Sequence, residues 1–154
     1  MRIRPAEPSD HARVAAVIDT WWGGRRMRDM LPRLFFTHFR DTSFVAEDDA
    51  GGLAGFLCGF LSQTYPEEAY IHFVGVAREH RGAGLARELY ETFFAAVQAH
   101  GRTTVRCVTS PANSGSLAFH HRLGFEVEAE VENYDGAGES RVLLRKALEK
   151  CGPD

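Results

Sequence analysis

The chain has 154 residues, 44% hydrophobic and 25% charged, enough for one domain with its own core and too few for two of ordinary size. A net charge of −3 argues against nucleic acid or an anionic membrane surface as a partner. The longest apolar stretches, 53–61 and 70–77, are too short to span a bilayer, and the opening Met1-Arg2-Ile3-Arg4-Pro5 lacks the apolar region of an export signal, so a cytoplasmic protein is expected.

Ile3 alternates with charged neighbours in a short opening strand that Pro5 ends. Ser9 and Asp10 offer a helix start before Val14, Val17, Ile18 and Trp21, which share one helical face. Gly23-Gly24 breaks that helix. Apolar positions recur at helical intervals over 27–39, but Pro32 moves the start of a second helix toward Leu31. A β-branched strand at 42–47, a hairpin turn at 48–52 and a long apolar run at 53–62 follow. After a turn at 63–68 comes a strand at 70–77. Leu85, Leu89, Phe93, Ala96 and Val97 form an apolar stripe that marks a helix over 84–100, closed by Gly101. Next are a strand at 103–109 and a helix entered through Pro111-Ala112-Asn113 and ended by Gly124. Strands at 125–131 and 141–148 flank a turn at 135–138. The order β-α-α-β-β-β-α-β-α-β-β gives an α/β fold, a mixed sheet flanked by helices, in one domain over residues 1–148. Residues 149–154 read as a flexible tail.

Cys58, Cys107 and Cys151 are an odd count without metal-ligand spacing. The first two sit in apolar runs, where a thiol behaves as a small hydrophobe. All three are expected to be reduced and structural, and no metal site is expected.

Two segments carry chemistry. In Val76-Ala77-Arg78-Glu79-His80-Arg81-Gly82-Ala83-Gly84-Leu85-Ala86 an apolar strand stops, a glycine-bearing turn follows and a helix begins. A helix N-terminus has unpaired N–H groups and the positive end of its dipole, so anions bind there. Gly82, Ala83, Gly84 and Ala86 keep the turn free of bulk, and Arg81 adds a cation able to pair with phosphate. A helix with small residues packed against a strand gives the same pattern. The second segment is Asn113-Ser114-Gly115-Ser116-Leu117-Ala118-Phe119-His120-His121-Arg122-Leu123-Gly124-Phe125.

Arg81-x-x-Gly84-x-Ala86 after an apolar strand resembles the acetyl-CoA signature of the GNAT superfamily of N-acetyltransferases, Q/R-x-x-G-x-G/A. Asn113-x-x-Ser116-x-x-Phe119-x-x-x-Leu123-Gly124-Phe125 resembles that family's second cofactor-side motif, and the element order suits the family along nearly the whole chain. The resemblance implies splayed central strands that form an acetyl-CoA cleft. It implies that the amides from Arg81 through Gly82, Ala83, Gly84 and Leu85 to Ala86 take the pyrophosphate. Backbone groups of Val74 and Val76 would take the pantetheine arm, with Asn113 and Ser116 on the far wall. Gly75 either marks a bulge that starts the splay or sits under a bulky neighbour.

Direct amine acetylation needs a deprotonated amine, a polarised thioester carbonyl and a proton for the thiolate. The resemblance gives the carbonyl to a backbone N–H, here that of Val74, and requires no protein nucleophile. Where the family commonly has a tyrosine acid, this sequence has His120. An imidazole N–H can donate to a thiolate of solution pKa ~8.5, or His120 simply packs in its helix and Tyr134 replaces it. His72, a titratable residue in an apolar strand with Val74 and Val76 on its face, is a candidate base, or else a hydrogen-bonded core residue. Glu67 and Glu68 are candidates through a water, or plain surface carboxylates.

In the family the first two helices and the loop before the last strand line the acceptor pocket. Here that points to Trp21, Trp22, Arg25 and Phe35, with Tyr134 from the far end, against core packing beside a solvated basic turn. Two adjacent tryptophans cannot both face one core, so one is exposed or lines a cleft. The expected activity is acetyl transfer to the primary amine of a small molecule by a monomer or homodimer. The alternatives are acetylation of a protein or peptide, or an acyl-CoA sensor without turnover.

Overall fold

The computed structural model describes residues 1–149. The chain runs β1 (Arg2–Pro5), α1 (Asp10–Trp21), α2 (Leu34–His38), β2 (Ser43–Glu47), β3 (Leu53–Leu61), β4 (Glu68–Val76), α3 (Leu85–Ala99), β5 (Thr104–Thr109), α4 (Ser114–Arg122), β6 (Glu126–Val131) and β7 (Arg141–Ala147). This is the expected order. The strands make one mixed sheet of seven in the order β1-β2-β3-β4-β5-β7-β6. Pairing is parallel between β4 and β5 and antiparallel for β1 with β2, β2 with β3, β5 with β7 and β6 with β7. The parallel pair follows from α3, which carries the chain back before β5 begins.

One helix differs from expectation. The pattern over 27–39 yields a single turn of 3-10 helix at Arg28–Met30 and a five-residue α2. Pro32 is the reason: its ring disfavours helical backbone in the residue before it, and Leu31 is indeed outside the helical region at φ −129, ψ 85.

The chain divides into two compact units, Met1–Phe60 with Ile71–Val97, and Leu61–Tyr70 with the chain from Gln98 onward. In the first unit Val14, Ile18, Trp21, Leu31, Phe36 and Phe56 belong to one buried core. Ser9 makes no side-chain cap on α1. Asp10, the first residue of α1, instead reaches back to accept the Glu7 N–H at 2.8 Å, while Arg4 at 2.9 Å and Arg13 at 3.2 Å neutralise it. Burial pushes this carboxyl up, but the Arg4 pair, the Glu7 N–H and Arg13 together hold it below the ordinary value. A charge only 1% exposed persists because it is paired.

In the second unit β5 pairs along its length with β7, from Thr104 opposite Ala147 to Thr109 opposite Val142. Arg102 ties down the turn before β4 by donating to the carbonyls of Ser62 at 2.9 Å and Glu68 at 3.1 Å. Arg106 pairs with Glu68 and Glu128. Burial pushes the Cys107 thiol up to about 12 and raises Cys58 as well, so neither is a thiolate at neutral pH. Cys151 and all of the expected tail but Glu149 lie outside the described residues. Glu149 itself is tethered, its carbonyl accepting from Gln98 at 3.0 Å. Among the described residues no helix is long and apolar enough to cross a membrane, and no group of three or more side chains is placed to hold a metal ion.

Candidate active site

The glycine turn is built as an open backbone cradle. After one 3-10 turn at Arg78–His80 the chain passes through Gly82 and Gly84, at φ +82 and +85, and enters α3 at Leu85. Side chains rarely adopt such backbone, and glycine does so without a steric penalty. A Cβ built on either glycine would meet nothing within 4 Å. The space above the turn is therefore open, and the first turn of α3 leaves the N–H groups of Leu85 and Ala86 without intrahelical acceptors. The Leu85 side chain is buried 3% exposed, so only its backbone is available there.

Arg81 behaves differently from the expected phosphate hand. Its Nε donates to the Val76 carbonyl at 3.1 Å and its Nη2 to the Trp21 carbonyl at 2.9 Å. The side chain clamps the turn to the end of β4 and to the end of α1. The Val76 carbonyl accepts the Nε bond. Val74 is half-buried one residue before Gly75.

Gly75 sits under bulky neighbours. A Cβ there would lie 2.7 Å from both Phe56 Cε1 and Trp22 Cη2. The glycine exists so that an indole can lie on the strand. Trp22, half-buried, packs on Phe73 at 4.9 Å and beside Phe56 at 6.4 Å. Trp21, expected on the acceptor side with it, is instead in the core, stacked on Phe56 at 6.1 Å. Adjacent helix positions point about 100° apart, which sends one ring in and leaves the other at the rim. Arg25 is exposed just past Gly23 and Gly24. Phe35, only 6% exposed, packs in the core, the alternative open for it, and an imidazole lies on it.

That imidazole is His72, parallel to Phe35 at 4.8 Å. His72 Nε2 lies 2.6 Å from the Met30 carbonyl. A carbonyl only accepts, so this nitrogen carries the hydrogen and is not the basic one. Sequence reasoning missed the matching pair on the other side of the segment. His11 Nε2 donates to the next carbonyl, Leu31, at 3.1 Å, and its ring meets Phe36 edge-on at 5.5 Å. It also missed Asp19, which accepts the N–H groups of Met27 at 2.7 Å and Arg28 at 3.0 Å. A helical aspartate just before a double glycine was the available signal.

In the second unit Asn113 is the N-cap of α4, its Oδ1 accepting the Ser116 N–H at 3.0 Å. Thr109 donates to the Ser116 hydroxyl at 3.0 Å. His120 Nδ1 faces the Ser116 carbonyl at 2.7 Å, with the Ser116 hydroxyl at 3.2 Å. Burial lowers the His120 pKa, the Ser116 carbonyl opposing it. A carbonyl only accepts, so Nδ1 carries a hydrogen toward the Ser116 carbonyl. The helix-local bond fits the alternative in which His120 packs within α4. Tyr134, 48% exposed, sits on the β6–β7 connection. Tyr70 interacts with it electrostatically, and burial first, then Tyr134, pushes the Tyr70 phenol up to about 12. Tyr70 was legible as the residue two before His72 on the same strand face.

A family model described as the acetyltransferase (GNAT) family matches residues 12–125. Among curated proteins the chain is 33% identical over 103 residues to an L-2,4-diaminobutyric acid acetyltransferase of Chromohalobacter salexigens, covering 65% of this chain and 52% of that protein. The chain thus spans about half the length of that relative. It is 29% identical over 138 residues to the 5-NmdU N-acetyltransferase of Pseudomonas phage PaMx11, covering 87% of this chain and 93% of that one. The crystal structure of Ard1 from Thermoplasma volcanium shares the fold, with a TM-score of 0.81 at 21% identity over 96% of this chain and 97% of that one.

Proposed function

This chain belongs to the GNAT acetyltransferase family, and we propose that it transfers acetyl from acetyl-CoA directly to the primary amine of a small molecule, with residues 1–148 as its catalytic domain. The observation that carries the reading is the turn at Gly82–Gly84: two glycines at positive φ, open space above them, and a helix N-terminus directly behind. These features fit a pyrophosphate, which needs close backbone approach and N–H donors. Acetyl-CoA supplies the activated acyl group. The chain's own part is to hold it: the amides of Arg81–Ala86 on the phosphates, the Val74 N–H toward the thioester oxygen, and Asn113 and Ser116 by the arm.

The amine attacks the thioester carbon, forming a C–N bond, and the C–S bond breaks to release a thiolate that must gain a proton. His120 Nδ1 is engaged with the Ser116 carbonyl of its own helix, so we assign that proton to a phenol, Tyr134 or the half-buried Tyr70. The acceptor is read as a small amine because the diaminobutyrate relative acts on one by name. The rim indole of Trp22 beside Phe73, with exposed Arg25 nearby in sequence, suits an acceptor with an apolar or anionic part. A cytoplasmic setting suits buried, unpaired Cys58 and Cys107.

The test is thiol release from acetyl-CoA against diamino acids, other amino acids, polyamines, aminoglycosides and short peptides. Stimulation by a small amine is expected, with Gly84→Glu binding acetyl-CoA at least ~100-fold more weakly because its carboxylate opposes the phosphates in a strained backbone. Stimulation by peptides alone would make it a protein acetyltransferase. Tight acetyl-CoA binding with no acceptor would make it a sensor, and no binding would end the reading.

A further inference from the structure

We propose that His72 is a positioning residue that, together with His11, fixes the 27–36 segment and thereby sets acceptor selectivity; this rests on the transferase reading above. Two imidazoles hold two consecutive carbonyls, His72 on Met30 at 2.6 Å and His11 on Leu31 at 3.1 Å. The same two rings meet two consecutive phenylalanines, His72 parallel to Phe35 at 4.8 Å and His11 edge-on to Phe36 at 5.5 Å. Each ring thus pins both ends of the turn that Pro32 interrupts. One comes from α1 and one from β4, so the segment is gripped from both sides within the first unit.

The segment needs such a grip. It has one 3-10 turn and a five-residue helix, neither with a side-chain cap, and short helices are not stable alone. Its upstream end is fixed by Asp19 on the Met27 and Arg28 N–H groups, and by Arg28 Nη2 on the Ala15 carbonyl at 2.9 Å. At the downstream end Leu31 is buried in the core, and the histidines add the side-chain bonds that fix the Met30 and Leu31 carbonyls. The bond to Met30 survives protonation, because both neutral and charged His72 can keep hydrogen on Nε2. The grip therefore does not depend on pH, which separates a positioning role from a basic one. Phe73 and Trp22 lie next to this device, with His72 and Phe73 6.0 Å apart. A shift of the segment would be felt at the indole rim.

The experiment compares His72→Gln, whose amide can reproduce the Nε2 donor but cannot serve as a base, with His72→Phe, which keeps the stack and loses the donor. Steady-state kinetics and timed tryptic cleavage within 25–33 are read on both. Arg25, Arg26, Arg28 and Arg33 are exposed there. His72→Phe is expected to raise the acceptor KM and the cleavage rate by about 10-fold, the effect of losing one anchoring bond, with acetyl-CoA KM unmoved. His72→Gln is expected to recover most of both and to keep the acid limb of the pH–rate profile. Loss of that limb in His72→Gln, with kcat down ~100-fold at unchanged acceptor KM, would make His72 the base and overturn the proposal. Unchanged cleavage in His72→Phe would overturn it too. If the wild-type protein acetylates no amine, the function fails, while the cleavage comparison still decides the grip.

Discussion

Around His72 and around His120 the protein makes the same bond, a ring N–H to a backbone carbonyl, over very different spans. His120 reaches Ser116, four residues back in its own helix. His72 reaches Met30, 42 residues away. The first bond is made by any helix with that spacing and orders nothing beyond α4. The second exists only when the first unit is folded, and it ties the 27–36 segment to β4. A local bond orders a ring within its own helix, whereas a distant bond ties two elements together.

The comparison is tested most severely at Gly75, which keeps Trp22 lying on β4 in the His72 region. Gly75→Ala places a methyl 2.7 Å from Trp22 and Phe56 and is expected to cost about 1–3 kcal/mol in urea unfolding, as overpacking does. A neutral result would mean the indole is free to move and the region is not tightly set. On the other side, Asn113→Ala removes only a local cap. A loss of about 1 kcal/mol is expected, with the His11 and His72 contacts untouched; altered tryptic cleavage within 25–33 would show that the regions are not independent.

The smallest effect is a slope. Burial keeps the folded His120 pKa below its usual 6.5, so near that pH the unfolded chain binds more protons. The contribution to stability is then complete above 6.5 and falls as the pH drops below it, until the folded ring also titrates. His120→Asn, whose amide can reproduce the Nδ1 donor, is expected to flatten this part of the stability–pH curve and to leave kcat within about threefold, since general acid catalysis would cost 10²-fold or more. A larger loss of kcat would return His120 to the chemistry.

Periodicity and turn residues were enough for the order of strands and helices, since apolar spacing along Leu85, Leu89, Phe93 and Val97 reports directly which face is buried. The glycine turn was legible because positive φ restricts residue type within a few positions. Even Asn113 and the Ser116–His120 spacing lay in the sequence, as helix-local relations. The bonding of Arg81, Trp21 and His72 was not legible because each is decided by a partner far along the chain: the Trp21 carbonyl for Arg81, Phe56 for Trp21, and Met30 for His72. A titratable residue in an apolar strand looks the same in sequence whether its ring holds a proton for chemistry or a carbonyl for structure.

The sequence by itself determined the family, the element order and the backbone cradle at 82–84, all of which depend on residues close together in the chain. The tertiary structure alone decided which side chains remained available for chemistry. Hydrogen-bonding capacity is finite, and an Arg or His whose donors are already taken by distant carbonyls has a structural task that no local pattern records.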